Sequence, residues 1–306
     1  MAAELESFQS TAEAITQDIM MGPRTPSHSP RNWGKIVGAI LFYGGISFFL
    51  FNLLALVGVV VISSLGDHWF DSWLPAGGYS FQWYQFAAGH HDIGVLLYNT
   101  LFVSFASTFI ALLIGFPAAY VLARKTFRFK GVLTGLYLIP MLVPPLAYGI
   151  PLASLLIRYI GTSLPSLIII NLVPVIPFVI LILQPFIEQI DPSLESASKM
   201  LGGNQLQTFI RVMLPLVVPG LLTAGVLAIV RTVSMFDLTY LVSDASSQTL
   251  ILALYGDASA SGITPTQAIN ALSVVYMLTT MSLLVVALIF VKPTQFVVRV
   301  KAANNK

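Results

Sequence analysis

The sequence is poor in charge. Of its 306 residues only 9% are charged, while 56% are hydrophobic; an ordinary soluble domain carries about 25% charged residues. With a mean hydropathy of +0.84, such a chain cannot cover a water-facing surface, because that surface needs ionic groups to stay soluble. The sequence therefore predicts an integral membrane protein. Its net charge of +2 offers no basic excess, so we expect no nucleic-acid partner.

Cysteine and the common catalytic motifs are also missing. The absence of cysteine excludes disulfides, thiolate metal ligands and thiol catalysis. No G-x(4)-G-K-[ST] phosphate loop occurs, so the chain does not cradle ATP in that way. There is no H-E-x-x-H, and the adjacent His90 and His91 would diverge on a helix, so we expect no metal site. We therefore predict that the chain is not an enzyme by itself and holds no cofactor.

Long apolar segments are abundant instead. Six of them run over residues 36–64, 95–123, 131–157, 164–187, 216–242 and 269–291. Each exceeds the roughly 20 residues with which a helix crosses the hydrocarbon core. Barrel strands would be shorter and would alternate in polarity. The sequence predicts an all-α integral membrane fold with six transmembrane helices.

Lys and Arg residues fall mainly on one side of these segments. If the N-terminus is inside, 13 of the 15 lie in cytoplasmic pieces, Arg158 lies in an outer loop and Arg231 lies within a helix. Cytoplasmic loops of membrane proteins carry such an excess. We therefore expect both termini to be cytoplasmic.

The two ends of the chain are predicted cytoplasmic tails, residues 1–35 and 292–306. Within the first, apolar residues recur at three- and four-residue spacing, which is typical of a short amphipathic helix. They are Leu5, Phe8, Ala12, Ile15 and Ile19. Two interpretations remain: a mobile tail, or a helix that docks on a partner.

Prolines are dense in the third and fourth segments. They are Pro140, Pro144, Pro145, Pro151, Pro174, Pro177 and Pro185. Each removes a helix hydrogen bond, and the freed carbonyl must find a neighbour or water. The cluster indicates either bent helices that line a pathway or kinks tolerated in a packed bundle. We take Pro144 and Pro145 as candidate pathway residues.

Two charged residues lie in the fifth segment. A charge at the bilayer centre costs roughly 2.5–3.5 kcal/mol on insertion scales, so Arg231 and Asp237 should face protein or water. On a continuous helix they would lie about 120° apart, which predicts separate partners. Arg231 is a candidate pathway residue or a member of a structural ion pair. Asp237 is a candidate pathway residue or an interfacial charge.

The cytoplasmic stretch 188–215, between the fourth and fifth segments, has its own pattern. Asp191 followed by proline is a good helix start, and Gly202 with Gly203 would end that helix. The next helix has an apolar face made of Leu206, Phe209, Ile210 and Met213. The stretch predicts a helix-turn-helix that presents a compact face to a partner, the alternative being a solvated surface loop.

This stretch resembles the cytoplasmic signature E-A-A-x(3)-G-x(9)-I-x-L-P of permease subunits of type I ABC importers. With Gly202 at the glycine, Val212 takes the Ile position and Leu214 and Pro215 take the Leu-Pro positions. The first three positions are Ser196, Ala197 and Ser198. The acidic residue is absent from its usual place, although Glu195 immediately precedes it.

The resemblance implies an importer transmembrane domain in the inner membrane, with a five-helix core over 95–291 and one helix, 36–64, before it. It implies an ATPase-coupling loop made of Glu195, Ser196, Ala197, Ser198, Leu201, Gly202, Leu214 and Pro215. It also implies partners: a cytoplasmic ABC ATPase dimer that binds the ATP, a second, non-identical permease, and an extracytoplasmic substrate-binding protein. A small polar solute would cross the bilayer by alternating access.

Shorter matches resemble permeases for polyamines such as spermidine and putrescine, with relatives for 2-aminoethylphosphonate, iron(III) or opines. They lie in the outer loop around Trp73-Leu74-Pro75, Phe81, Trp83 and Tyr84, and in Ser234–Thr239 and Ser247–Leu250.

The competing class is a self-contained secondary transporter or a membrane enzyme. A secondary transporter should show internal repeats and ion-coupling carboxylates near mid-membrane, for which Asp237 is the candidate.

Overall fold

The structure is a computed structural model that describes residues 33–68, 76–260 and 262–290, together with Thr16. The predicted amphipathic helix, apart from Thr16, lies outside these residues. So do Trp73-Leu74-Pro75 and the predicted tail 292–306. Residues 1–56 and 57–306 form two compact units, and every contact given below lies within the second.

The described chain is helical apart from one hairpin. In chain order the elements are α1 (Trp33–Leu65), β1 (Gly66–His68), β2 (Ala76–Tyr79), α2 (Gln82–His90), α3 (Ile93–Arg124), α4 (Lys130–Leu142), α5 (Pro145–Tyr159), α6 (Leu164–Glu188), α7 (Ser193–Met200), α8 (Gln205–Thr208), a π-helical turn (Phe209–Met213), α9 (Leu214–Val233), α10 (Asp237–Val242), α11 (Leu250–Ser259) and α12 (Thr266–Phe290). Within the described residues, five helical stretches are long and apolar enough to cross a membrane, and the bent pair α4–α5 makes six when it is counted as one span. The prediction of a six-span α-helical membrane protein is confirmed.

The third predicted segment, 131–157, is not one straight helix. It bends by 92° between α4 and α5. A residue that precedes proline is disfavoured in the helical region, and here Val143 and Pro144 both precede one. Both accordingly adopt extended backbone, with ψ of 138° and 132°. The proline pair therefore breaks the span rather than kinking it.

The fifth predicted segment, 216–242, is also interrupted, which corrects the expected geometry of its two charges. α9 ends at Val233, and Asp237 is the first residue of the separate helix α10. The hydroxyls of Thr232 and Ser234 donate to the carbonyls of Ala228 and Val230. Such side-chain bonds compete with the helix ladder. The expected separation of about 120° on one continuous helix is wrong.

The loops between spans that we predict to be extracellular contain more structure than their composition indicates. β1 pairs antiparallel with β2, Gly66 opposite Tyr79 and His68 opposite Ala76. Helices α2 and α11 occupy the regions read as loops 65–94 and 243–268. His91 Nε2 lies 2.9 Å from Asp257 Oδ2, which connects the start of α3 to α11.

The centre of the bundle is formed by α3, α6 and α9. α3 packs most extensively on α6, and α9 packs on both. The approach is close because small residues line it: a Cβ added to Gly115 would lie 2.7 Å from Val179 Cγ1. Ala111 and Ala119, on α3, are fully buried. This packing places the end of α3 beside the 188–215 stretch.

Candidate functional site: the coupling loop and the broken spans

In the helix-turn-helix of residues 188–215, a side-chain bond to backbone precedes the first helix. Asp191 Oδ1 accepts a hydrogen bond from the backbone N–H of Ser193, 2.8 Å away. Hydrogen bonding to Ser193 lowers the pKa of the Asp191 carboxyl, because it stabilises the charged form. α7 begins at Ser193, one residue after the predicted first position at Pro192.

The glycine pair ends α7 as predicted. Gly202 has φ of +83°, a conformation that costs an L-residue roughly 1–2 kcal/mol. The N–H of Gly203 donates to the carbonyl of Ser198 at 2.9 Å, which is the six-to-one bond of a Schellman turn. The hydroxyls of Ser198 and Thr208 lie 2.9 Å apart. The turn thus holds α7 and α8 in a fixed arrangement.

The second helix of the loop runs into the membrane without a gap. Asn204 Oδ1 accepts from the N–H of Gln207, and Gln207 Oε1 accepts from the N–H of Asn204, which is a capping box. α8 continues through the π-helical turn into α9. Pro215 has no N–H to donate, and a proline ring crowds the carbonyl four residues before it, here that of Arg211. Directly before the proline, the N–H of Leu214 bonds to the carbonyl of Phe209, five residues back, as in a π-helix.

One face of the loop is left exposed and partly apolar. Met200 and Leu201 at the tip of α7 are 83% and 88% exposed, and Leu206 is 65% exposed. Ser196, Ala197 and Pro215, from the predicted loop set, are exposed, whereas Ser198 and Leu214 are partly buried. Large apolar side chains in such a position are typical of a contact surface.

Glu195 departs from the rest of the predicted set, because its side chain points into the protein. Its Oε1 lies 2.7 Å from Arg124 Nε, and the two side chains are 12% and 10% exposed. The contact is ionic, since the Nε–H is not aimed at that oxygen. Its other oxygen accepts a 2.7 Å hydrogen bond from Tyr120 Oη.

Tyr120 and Arg124 lie four residues apart and therefore share one face of α3. Arg124 Nη2 also donates to the carbonyl of Ile190 at 2.6 Å. The Tyr120 ring packs edge-on against Phe209 of the π-helical turn, with centroids 5.1 Å apart. We call Tyr120, Arg124, Glu195 and Phe209 the Glu195 node. Sequence reasoning missed it, and the available signal was the Tyr120/Arg124 spacing.

The charges of the fifth span lie deeper in the bundle. The Arg231 guanidinium carbon is 5.0 Å from the centre of the Phe178 ring on α6. Its Nε is buried and has no hydrogen-bond partner among the described residues. Within the same part of the chain, neither Arg231 nor Asp237 forms an ion pair. Both lie near enough to act electrostatically on Tyr148, whose buried hydroxyl also lacks a described partner.

The proline break and the second break are brought together. α10 packs on α5, so closely that a Cβ on Gly149 would lie 2.6 Å from Leu238 Cδ2. Pro144 and Pro145 start α5, and Asp237 starts α10. Beside Asp237, the rings of Phe236, Tyr240 and Tyr255 form a cluster with centroid separations of 4.6–5.8 Å. Tyr240 and Tyr255 are about half exposed.

Residues able to hold a metal are not clustered in the described segments. No group of three or more His, Cys, Asp or Glu side chains there is close enough to share an ion. The chemistry available at these places is ionic and hydrogen-bonding contact.

A broken-span helical membrane domain with a surface helix-turn-helix defines a class: the membrane component of a transport system. The family described as "binding-protein-dependent transport system inner membrane component" matches residues 111–294, more than half of the chain. The chain belongs to this family and is a multi-pass inner-membrane protein.

Relatives within the family carry several names. The chain is 30% identical over 166 residues to the probable ABC transporter permease protein y4oR of Sinorhizobium fredii, covering 54% of this chain and 60% of the relative. It is 32% identical over 146 residues to the molybdate/tungstate transport system permease protein WtpB of Pyrococcus abyssi, covering 47% and 59%. It is 28% identical over 231 residues to the spermidine/putrescine transport system permease protein PotB of Haemophilus influenzae, covering 69% and 78%. The chain thus spans about 60% of the first two relatives' length.

Solved structures share the fold. A chain of a bacterial ABC transporter that imports the acidic polysaccharide alginate aligns with a TM-score of 0.63 at 19% identity, covering 93% of this chain and all of that one. A chain of the MetNI methionine ABC transporter in inward-facing conformations aligns with a TM-score of 0.54 at 20% identity, covering 64% and 93%. The predicted fold, the transmembrane domain of an ABC importer, is confirmed.

Proposed function

We propose that this chain is the transmembrane permease subunit of an ATP-driven, binding-protein-dependent importer. It forms half of a translocation pathway, and a second, non-identical permease forms the other half. A cytoplasmic ABC ATPase dimer binds and hydrolyses the ATP, so this chain is not an enzyme and holds no cofactor. An extracytoplasmic binding protein delivers a small polar solute, which crosses by alternating access.

One observation supports this proposal most strongly: the exposed helix α7 and its glycine turn. The helix is short, preceded by the bond from the Ser193 N–H to Asp191 Oδ1, and closed by the Schellman turn at Gly202 and Gly203. A rigid element of this kind transfers motion from one body to another. Its exposed tip, Met200 and Leu201, is the surface that we expect the ATPase to contact.

The test is capture of partners through this chain from detergent-solubilised membranes. Gly202→Pro removes the positive φ and the N–H that bonds to Lys199. Gly161→Pro is a matched control, because Gly161 has φ of +87° and its N–H bonds to Leu156. We expect an ABC ATPase with wild type and Gly161→Pro and none with Gly202→Pro. If wild type captures no ATPase, the chain is a self-powered transporter and the proposal fails.

We further propose that the pathway runs along the broken spans, with Pro144, Pro145, Arg231 and Asp237 in its wall. Two breaks packed together leave backbone groups that need water or polar neighbours. Arg231 and Asp237 have no ion-pair partner among the described residues. Their charges therefore also favour a water-filled pathway in this region. Arg231→Ala should lower uptake and leave capture of the ATPase unchanged. Normal uptake by this variant would remove Arg231 from the pathway.

For the solute, we propose a polyamine such as spermidine or putrescine. The relative PotB is named for these compounds. Aromatic faces attract ammonium groups. The Phe236–Tyr240–Tyr255 cluster has two half-exposed tyrosines and includes the residue that precedes Asp237 in the chain. 2-Aminoethylphosphonate, an opine or iron(III) are the alternatives.

The solute is tested in vesicles that contain the captured complex, with the co-purified binding protein added outside. Radiolabelled spermidine and putrescine should accumulate on addition of internal ATP, and molybdate should not. Accumulation of 2-aminoethylphosphonate or molybdate in place of the polyamines would contradict this part of the proposal.

A further inference from the structure

Glu195 lies in the loop that we propose to contact the ATPase, yet its carboxylate is used inside this chain. Both of its oxygens are occupied by residues of α3: Oε1 by Arg124 at 2.7 Å and Oε2 by Tyr120 at 2.7 Å. The side chain is 12% exposed. A partner protein therefore finds this carboxylate already paired and largely covered.

The same four side chains join three separate elements. Arg124 holds the entry of the loop through the Ile190 carbonyl and holds α7 through Glu195. The Tyr120 ring contacts the Phe209 ring in the π-helical turn. Phe116 stacks on the Phe209 ring with centroids 4.6 Å apart. α3 is in turn the helix packed most extensively on α6. A displacement of α7 reaches the centre of the bundle along this route.

From this geometry we infer that Glu195 is a positioning residue that acts as a strut between α7 and α3, and that it is not a contact to the ATPase. The inference rests on the proposed function, since it concerns how motion of the loop reaches the membrane helices. The loop then has two separable parts. The exposed tip, Met200 and Leu201, binds the partner, and the Glu195 node transmits the movement.

A direct measurement is the distance between spin labels on the two elements. The chain has no cysteine, so Ser193→Cys on α7 and Thr126→Cys just after α3 are labelled without background from this chain. Both positions are exposed. In wild type we expect one narrow distance distribution that is the same with and without trapped nucleotide. Glu195→Gln should broaden it and make it shift with nucleotide.

Charge reversal distinguishes a strut from a fold defect. Glu195→Arg combined with Arg124→Glu should restore the narrow distribution that either single change loses. Glu188→Gln is the matched control, because Glu188 is exposed and bonds only within its own helix, to Gln184, in the described contacts; it should behave as wild type. Glu195→Gln should still capture the ATPase but lose ATP-driven uptake about 5- to 150-fold, the range of ordinary coupling energies.

Three results would overturn the inference. They are an unchanged narrow distribution in Glu195→Gln, loss of ATPase capture in that variant with the protein still monodisperse, or failure of the double reversal to restore the distance. Failure of the proposed function is a different result, because wild type would then capture no ATPase. The label distance in the isolated chain would still test the strut.

Discussion

The two ends of α3 are joined to their neighbouring loops by different chemistry. At the outer end, Asn99 donates its amide to the carbonyls of Ser246 and Gln248 at 3.2 and 3.0 Å. Thr100 Oγ1 accepts from the N–H of Leu250 at 2.9 Å. At the inner end the carboxylate of Glu195 meets the guanidinium of Arg124. Besides the His91–Asp257 contact, the outer end is thus held by neutral hydrogen bonds to backbone. At the inner end a pair of charged side chains adds to the bond from Arg124 to the Ile190 carbonyl.

This difference bears on what each end can do. Neutral bonds from buried side chains to backbone fix a loop in one position, and each is worth about 0.5–1.5 kcal/mol net. A largely buried ion pair adds little as a pair but costs much to separate, because each charge is stranded without its partner. We therefore expect the outer loop to keep one position and the inner loop to move only together with α3.

Removing Arg124 is the change with the largest expected effect. Arg124→Met leaves Glu195 largely buried without its cation, and loss of one partner of such a pair typically costs about 3–5 kcal/mol. Thermal unfolding in detergent should show a clear fall in midpoint. Arg128→Met, an exposed arginine of the next loop, is the control and should unfold as wild type does. Equal midpoints for the two variants would show that the inner end does not depend on its charges.

At the outer end the expected effect is smaller. Asn99→Ala leaves the carbonyls of Ser246 and Gln248 without their donor, and an unsatisfied buried group costs about 1–3 kcal/mol. Hydrogen exchange should rise in residues 243–250 and stay unchanged in residues 188–203. Exchange that rises equally in both regions would contradict the separation of the two ends.

The contact of α3 with α6, between the two ends of α3, provides a comparison that involves neither the outer nor the inner end of α3. Gly115→Ala places a Cβ 2.7 Å from Val179 Cγ1, and overpacking of this kind costs about 1–3 kcal/mol. Gly135→Ala, whose new Cβ meets nothing within 4 Å, should be neutral or slightly stabilising. The unfolding midpoints of the two variants test this directly, and a fall in Gly135→Ala alone would refute the packing of α3 on α6.

The smallest expected effect concerns pH and the Asp244 turn of the outer loop. Hydrogen bonds from Ser247, Ser246 and Thr162 depress the pKa of the Asp244 carboxyl well below its usual range. The folded state therefore gains stability above the unfolded pKa of about 3.9, and loses it as pH falls toward the depressed folded value. A spin label at the exposed Ala245 should keep the same mobility from pH 8 to 5 and gain mobility only in stronger acid. In Asp244→Asn the mobility should already be higher at pH 7.

Much of this molecule can be predicted from local sequence. The apolar segments predict the spans, because length and hydropathy are local properties. Pro144-Pro145 indicates the break in the third span, because the two residues that precede these prolines are disfavoured in the helical region. The glycine turn after α7 is also predictable from local sequence, because glycine readily adopts the positive φ that Gly202 has there.

What escaped prediction depends on residues far apart in the chain. The sequence around Glu195 does not predict its ion pair with Arg124, because that pair depends on how α3 lies beside the loop. The end of α9 at Val233 has no proline or glycine after it to mark it in the sequence, so the apolar segment reads on to residue 242. His91 meets Asp257 only because α11 forms inside a stretch rich in small residues.

The central claim is that movement of the inner loop changes access at the broken spans, and thiol reactivity tests it most directly. In vesicles holding the captured complex, Ser234→Cys, an exposed position three residues from Arg231, is exposed to a membrane-impermeant thiol reagent from outside. We predict that its labelling rate differs between the nucleotide-free and the ATP-vanadate states when Glu195 is present, and that Glu195→Gln, which keeps the ATPase bound, abolishes the difference. Equal labelling in both nucleotide states, with the ATPase bound, would contradict the account.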